Sequence, residues 1–204
     1  MMDDRIELHN LLLFASQRLT IAFQQQEQSS ADPAVRLAVS QGSILRSPAT
    51  SETIAAAEER LGIDLPADYK SFLQFSNGMV IPMIDGHVAE LLRVEAIKPF
   101  SCADAHAFAL WNDQGSQEAF TPLSQIPGDL VCFQENLPDV RLLTDAVLIS
   151  DVVNSGGVLL CPFKSFGPDA FEIWELEPWA GCVRYRNFAD FLRERIRASL
   201  GEWT

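Results

Sequence analysis

Within five residues, Cys102, Asp104 and His106 supply a thiol, a carboxylate and an imidazole, and a thiol four positions before an imidazole would share a helix face with it. An activated thiolate also needs positive surroundings, and no Lys or Arg occurs from Phe100 to Val140. The spacing therefore predicts a packed helix carrying an incidental histidine. Asp85 and His87 flank Gly86 and could give one edge of a metal site. Such a site takes three or four ligands, so turn chemistry is the reading there and no metal is expected. Asn154-Ser155-Gly156-Gly157 has the small residues of a phosphate-cradling loop but lacks the helix and lysine that follow in such loops; it reads as a hairpin turn. Glu172, Glu175 and Glu177 could act as paired carboxylates only across a cleft at fixed separation. Along one strand they read as a solvated face. Trp174 and Trp179 could stack a ligand, but read as core or rim packing. No residue is expected to turn over substrate, and no cofactor is implied.

The acids between Phe100 and Val140 differ in kind. Asp104, Asp113, Glu118, Asp129, Glu135 and Asp139 have no basic residue among them, and Trp111, Phe120 and Phe133 are interspersed. Unpaired acids raise the encounter rate with a basic protein, and aromatic anchors inside a charged rim dominate contact energies. The pattern predicts a partner-binding surface, with Asp113, Glu118, Asp129, Glu135 and Asp139 steering and Trp111 anchoring. Charge over the 204 residues agrees. The net value is −13, and residues 47–150 hold 15 acids against 5 bases. Phosphate backbones and anionic lipid should be repelled, so neither direct nucleic-acid binding nor membrane association is expected.

These residues must be carried by a fold that buries a core, and 48% hydrophobic composition over this length suffices without disulfides or a structural metal. Cys102, Cys132, Cys161 and Cys182 are widely spaced and read as reduced thiols, mostly buried. An acidic start and the lack of a long apolar run point to the cytoplasm. Leu8, Leu11, Leu12, Ala15, Leu19 and Phe23 recur at helical steps and predict an amphipathic helix over 4–24, followed by a connector to about residue 45. From 46 to 204 a second unit begins with helices. Thr50 is an N-cap, Gly62 a left-handed stop and Pro66 a start, with Asn77-Gly78 ending the second helix. Strands at 79–83 and 90–94, then 146–151 and 158–163, predict two antiparallel hairpins. Further strands at 170–176 and 182–185 lead to a closing helix capped by Asn187. Helices, then strands, then a helix give an α+β class with a mainly antiparallel sheet flanked by helices. Between Lys98 and Leu143 only Cys102 to Trp111 reads as helical.

Two blocks carry a resemblance. Pro48-Ala49-Thr50 through Ala56-Ala57-Glu58-Glu59-Arg60-Leu61-Gly62, Leu65-Pro66-Ala67-Asp68-Tyr69, Phe72-Leu73 and Ser76-Asn77-Gly78 form the first. Val158-Leu159-Leu160-Cys161-Pro162, Phe171-Glu172-Ile173-Trp174, Trp179, Gly181 and Arg184-Tyr185-Arg186-Asn187-Phe188 with Phe191-Leu192 form the second. Together they resemble the SUKH superfamily, which includes fungal Smi/Knr-type regulators and bacterial toxin-immunity proteins. Cys161 stands where bacterial relatives commonly have an acid, and Thr53 where a Glu is usual. The resemblance implies a SUKH-like fold with an extra amino-terminal helix and a non-enzymatic, protein-binding role. Its bacterial branch implies an immunity protein docking on a basic toxin domain, such as a nuclease. Its fungal branch implies an intracellular regulatory or scaffold hub, with the amino-terminal helix docking a cellular partner. Oligomeric state is not legible.

Overall fold

The computed structural model describes residues 2–26, 33–82, 88–115, 132–135, 138–162, 170–178 and 181–201. The chain begins with α1 (Met2–Gln26) and α2 (Pro33–Gln41), then α3 (Ser51–Leu61) and α4 (Ala67–Phe75). The hairpin β1 (Met79–Pro82) and β2 (Val88–Leu91) is antiparallel, with Met79 opposite Leu91. Next come β3 (Lys98–Pro99), α5 (Phe100–Ala103), α6 (Ala105–Gln114), β4 (Cys132–Glu135) and α7 (Val140–Leu143). β5 (Val147–Leu148), β6 (Gly157–Cys161), β7 (Glu172–Glu177), β8 (Gly181–Tyr185) and α8 (Phe188–Ser199) complete the described elements. The larger sheet has the order β3-β5-β6-β7-β8-β4, and its recorded pairings are antiparallel. The β1-β2 hairpin joins its edge, since Leu92 N–H donates to Ile149 O at 2.8 Å and Asp151 N–H to Glu90 O at 2.9 Å. The protein is α+β, as expected.

Local chemistry sets the helix ends. Thr50 Oγ1 accepts from Thr53 N–H at 3.2 Å, and the two hydroxyls lie 3.0 Å apart, so Thr53 takes up the position from which a Glu would close a capping box. Gly62, at φ +69°, ends α3 in the left-handed region that glycine enters without steric cost. Gly78 is needed twice over. Its φ is +96°, and a Cβ there would lie 2.5 Å from Leu91 O, so only glycine lets α4 hand over to the hairpin.

Side chains alternate across the central strands and fill two cores. Val158, Leu160, Ile173, Val183 and Tyr185 face α1, α3, α4 and α8. Leu159, Cys161, Trp174, Leu176 and Cys182 face Phe100, Ala107, Trp111 and Leu143 from the segment between β3 and β5. The two sequence blocks meet in the first core. Phe188 of α8 packs edge-on against Tyr69 at 4.7 Å between ring centroids and tilted against Phe72 at 5.0 Å, while Asp68 Oδ2 accepts Ala189 N–H at 3.0 Å. Burial raises the Asp68 carboxyl, overriding the amide hydrogen bonds that lower it.

α1 belongs to this core too: Leu8, Leu12, Ala15, Leu19 and Phe23 are buried in it, and the helix packs against α2 and α8. The predicted helical face is therefore the one that packs. Three expectations fail. The acidic middle holds a strand, β4, that pairs with β8; a further short helix, α7, closes that segment; and the helix expected through Cys102–Trp111 is two helices broken at Asp104. Asp104 Oδ1 accepts Ala107 N–H at 2.8 Å, so its carboxylate caps α6 instead of continuing α5.

Candidate protein-binding face

The break at Asp104 separates the thiol from the imidazole. Cys102 is on α5 and His106 on α6, so the single helix face that their spacing suggested does not form. Both are exposed. Cys102 and the other three cysteines are free, and burial pushes the Cys161 and Cys182 thiols well up, which leaves them unreactive packing groups. Among the described residues, no three His, Cys, Asp or Glu side chains are grouped to hold a metal. Asp85 and His87, along with Trp179, lie outside the described residues.

The second face of the sheet positions the described residues among those predicted to bind a partner. α6 lies against it through Ala107 and Trp111. Trp111, expected as an anchor for another protein, is 2% exposed, and its indole N–H donates to Ser155 O at 2.7 Å. The anchoring it performs is internal: it pins the β5-β6 turn, where Asn154 and Ser155 have φ of +51° and +69°. Asp113, two residues further along α6 and so on its opposite side, is exposed. Asp139 is buried and caps α7, accepting Arg141 N–H at 3.1 Å and the Arg141 Nε–H at 2.8 Å. Those guanidinium hydrogen bonds hold its carboxyl below the ordinary range. Glu135, on β4, accepts from Arg184 Nη1 at 3.2 Å. Glu118 and Asp129 lie outside the described residues, as does Phe120.

Three of the four described acids in this stretch are thus occupied within the fold: Asp104 and Asp139 by helix N-termini, and Glu135 by a guanidinium. Asp113 faces solvent. Counting charge along the sequence missed Arg184, which the sheet delivers from another strand. Arg184 also holds Glu172, with Nε 2.9 Å from Oε2 and Nη2 3.0 Å from Oε1, and the Trp174 indole donates to the same carboxylate at 2.9 Å. On the opposite face Tyr185 Oη donates to Glu175 Oε2 at 2.8 Å, with Arg195 Nε 3.5 Å away.

The solvated face expected for Glu172, Glu175 and Glu177 is therefore corrected: all three are buried, because helices cover both sides of β7. Trp174 is core, as read. One signal would have found the network. A short β7-β8 hairpin sets Trp174 opposite Arg184, which places that arginine diagonally across from Glu172 on the same side.

A second polar junction sits where the first sequence block ends. Ser76 Oγ accepts Arg46 N–H at 2.8 Å, Asn77 Oδ1 accepts Val94 N–H at 2.8 Å, and Asn77 Nδ2 donates to Glu95 at 2.9 Å. Ser76-Asn77-Gly78 thus ties the α4 terminus to the segments on either side of it. The buried Arg46 guanidinium donates to Glu90 from Nε at 3.2 Å and Nη2 at 3.1 Å. These groups are occupied in joining chain segments.

The family model for the SMI1 / KNR4 family (SUKH-1) matches residues 48–194. The chain belongs to this family. The match runs from the α3 cap to the middle of α8 and includes both blocks and the whole six-stranded sheet. α1 and α2 precede it. No curated protein sequence matches the chain. None of the described helices is long and apolar enough to cross a membrane. Membership in the SMI1 / KNR4 family is consistent with immunity-protein or regulatory roles and suggests protein–protein interaction in general.

Proposed function

We propose that this SMI1 / KNR4 family chain is a cytoplasmic immunity protein that neutralises a basic toxin domain by stoichiometric docking, without catalysis. The observation that carries the reading is the net charge of −13, with 15 acids against 5 bases in residues 47–150. A nuclease domain must be basic to hold nucleic acid, and an acidic protein covers such a surface by charge complementarity. The internal use of Glu135, Glu172 and Glu175 supports binding over turnover, because each carboxylate is already held by an arginine or a tyrosine. Within the acidic stretch, steering falls to Asp113, exposed on α6, and to Glu118 and Asp129, which follow it in the sequence. Replacing these three by Lys should weaken capture of the toxin at least tenfold and flatten its salt dependence, with the fold retained. Unchanged affinity in that triple variant would remove the electrostatic docking reading.

A further inference from the structure

The large apolar side chains left exposed among the described residues are Ile6, Leu13, Phe14, Ile21 and Leu37, and four of these five are on α1. At about 100° per residue, those four fall within an arc of about 100° on the side away from Leu8, Leu12 and Leu19. The helix therefore carries a second apolar stripe opposite the one that packs. Asn10 and Gln17 lie inside it, and the charged Glu7 and Arg18 border it along one edge.

The order of these residues is self-complementary. Reversing α1 about the point midway between Leu13 and Phe14 exchanges Leu13 with Phe14, Asn10 with Gln17 and Ile6 with Ile21. Apolar positions thus meet apolar ones and amides meet amides. The charged edge follows the same symmetry: the reversal brings Arg18 of a second copy to within about 3 Å of Glu7 along the helix axis, and two-fold symmetry repeats the contact. A parallel pairing would instead put Glu7 and the other copy's Arg18 on opposite edges, about 16 Å apart along the axis, where they cannot meet.

We propose that α1 is a homodimerisation surface on which a second copy of this chain docks antiparallel, Ile6 against Ile21 and Glu7 against Arg18 of the other copy. The contact spans about 22 Å of helix between Ile6 and Ile21, so it gives a reversible dimer. α1 packs in the first core and α6 in the second, so the contact leaves Asp113 of each copy to its own partner.

Sedimentation equilibrium on the full chain tests this. The wild type should approach twice its 22.6 kDa mass as concentration rises, and Leu13→Glu should return it to a single chain with circular dichroism unchanged. Glu7→Arg alone should weaken association at least tenfold by facing two arginines, and adding Arg18→Glu should restore it. These charge variants alter exposed residues only, so they stand even if Leu13→Glu disturbs the helix. A wild type that remains a single chain, a dimer indifferent to Leu13→Glu in a folded protein, or a double charge variant as weak as the single one would each overturn the proposal.

Discussion

Arg184 holds two carboxylates at once. It donates to Glu172 through two nitrogens and to Glu135 through a third, so removing it strands a carboxylate in a site with almost no water. Arg184→Met should lower stability by about 3–5 kcal/mol, read as a shift in the urea midpoint. Adding Glu172→Gln should recover part of the loss, since an amide needs less compensation than an ion. Asp139 gives a pH test. Its carboxyl is held below the ordinary value by Arg141, so it takes up its proton at lower pH in the folded chain than in the unfolded one. That contribution is fully present above the ordinary aspartate range and is lost as the pH falls through the window below it. Asp139→Asn should flatten the acid limb of the stability curve in that window. A limb of unchanged steepness would contradict the assignment.

The elements show what each local signal could and could not carry. Thr50, Gly62 and Asn187 end or start helices for reasons local to a few residues, and all three were legible. The turn at Asn154-Ser155 was also legible, but not its strain: Ser155 has φ +69°, held by the hydrogen bond from Trp111. Ser155→Gly keeps the carbonyl and relieves the left-handed conformation, so thermal unfolding should show about 1 kcal/mol of stabilisation. β4 was missed because Cys132–Glu135 is short and its pairing with β8 is set by tertiary contact, not periodicity. The burial of the β7 acids was missed for a related reason. A strand of alternating acids reads as half-solvated until helices cover both its faces. For α1 the buried stripe was legible and predicts that Leu12→Ala costs about 2–5 kcal/mol in chemical denaturation. Deleting residues 1–30 should therefore destabilise the whole chain, whatever else α1 binds.

Over the whole molecule, the fold converts much of a one-sided charge count into internal structure and leaves part of it outside. Sequence position alone could not separate the two kinds of acid, since Glu135 meets Arg184 only through the sheet and Asp139 meets its helix only through a turn. Asp113 remains on the surface, and the sequence as a whole carries 28 acids against 15 bases. Attraction between exposed charges is screened beyond about 10 Å at 0.1 M salt, whereas buried ion pairs such as Arg184–Glu172 are screened much less. Salt therefore separates docking from folding. The most direct measurement is capture by the immobilised chain from lysate of its source organism at low and high salt, with Asp113→Lys/Glu118→Lys/Asp129→Lys alongside. The account predicts one basic protein retained stoichiometrically at low salt and lost both at high salt and in the triple variant, while the fold persists. Capture of neutral or acidic proteins, indifferent to salt and to the three reversals, would contradict it.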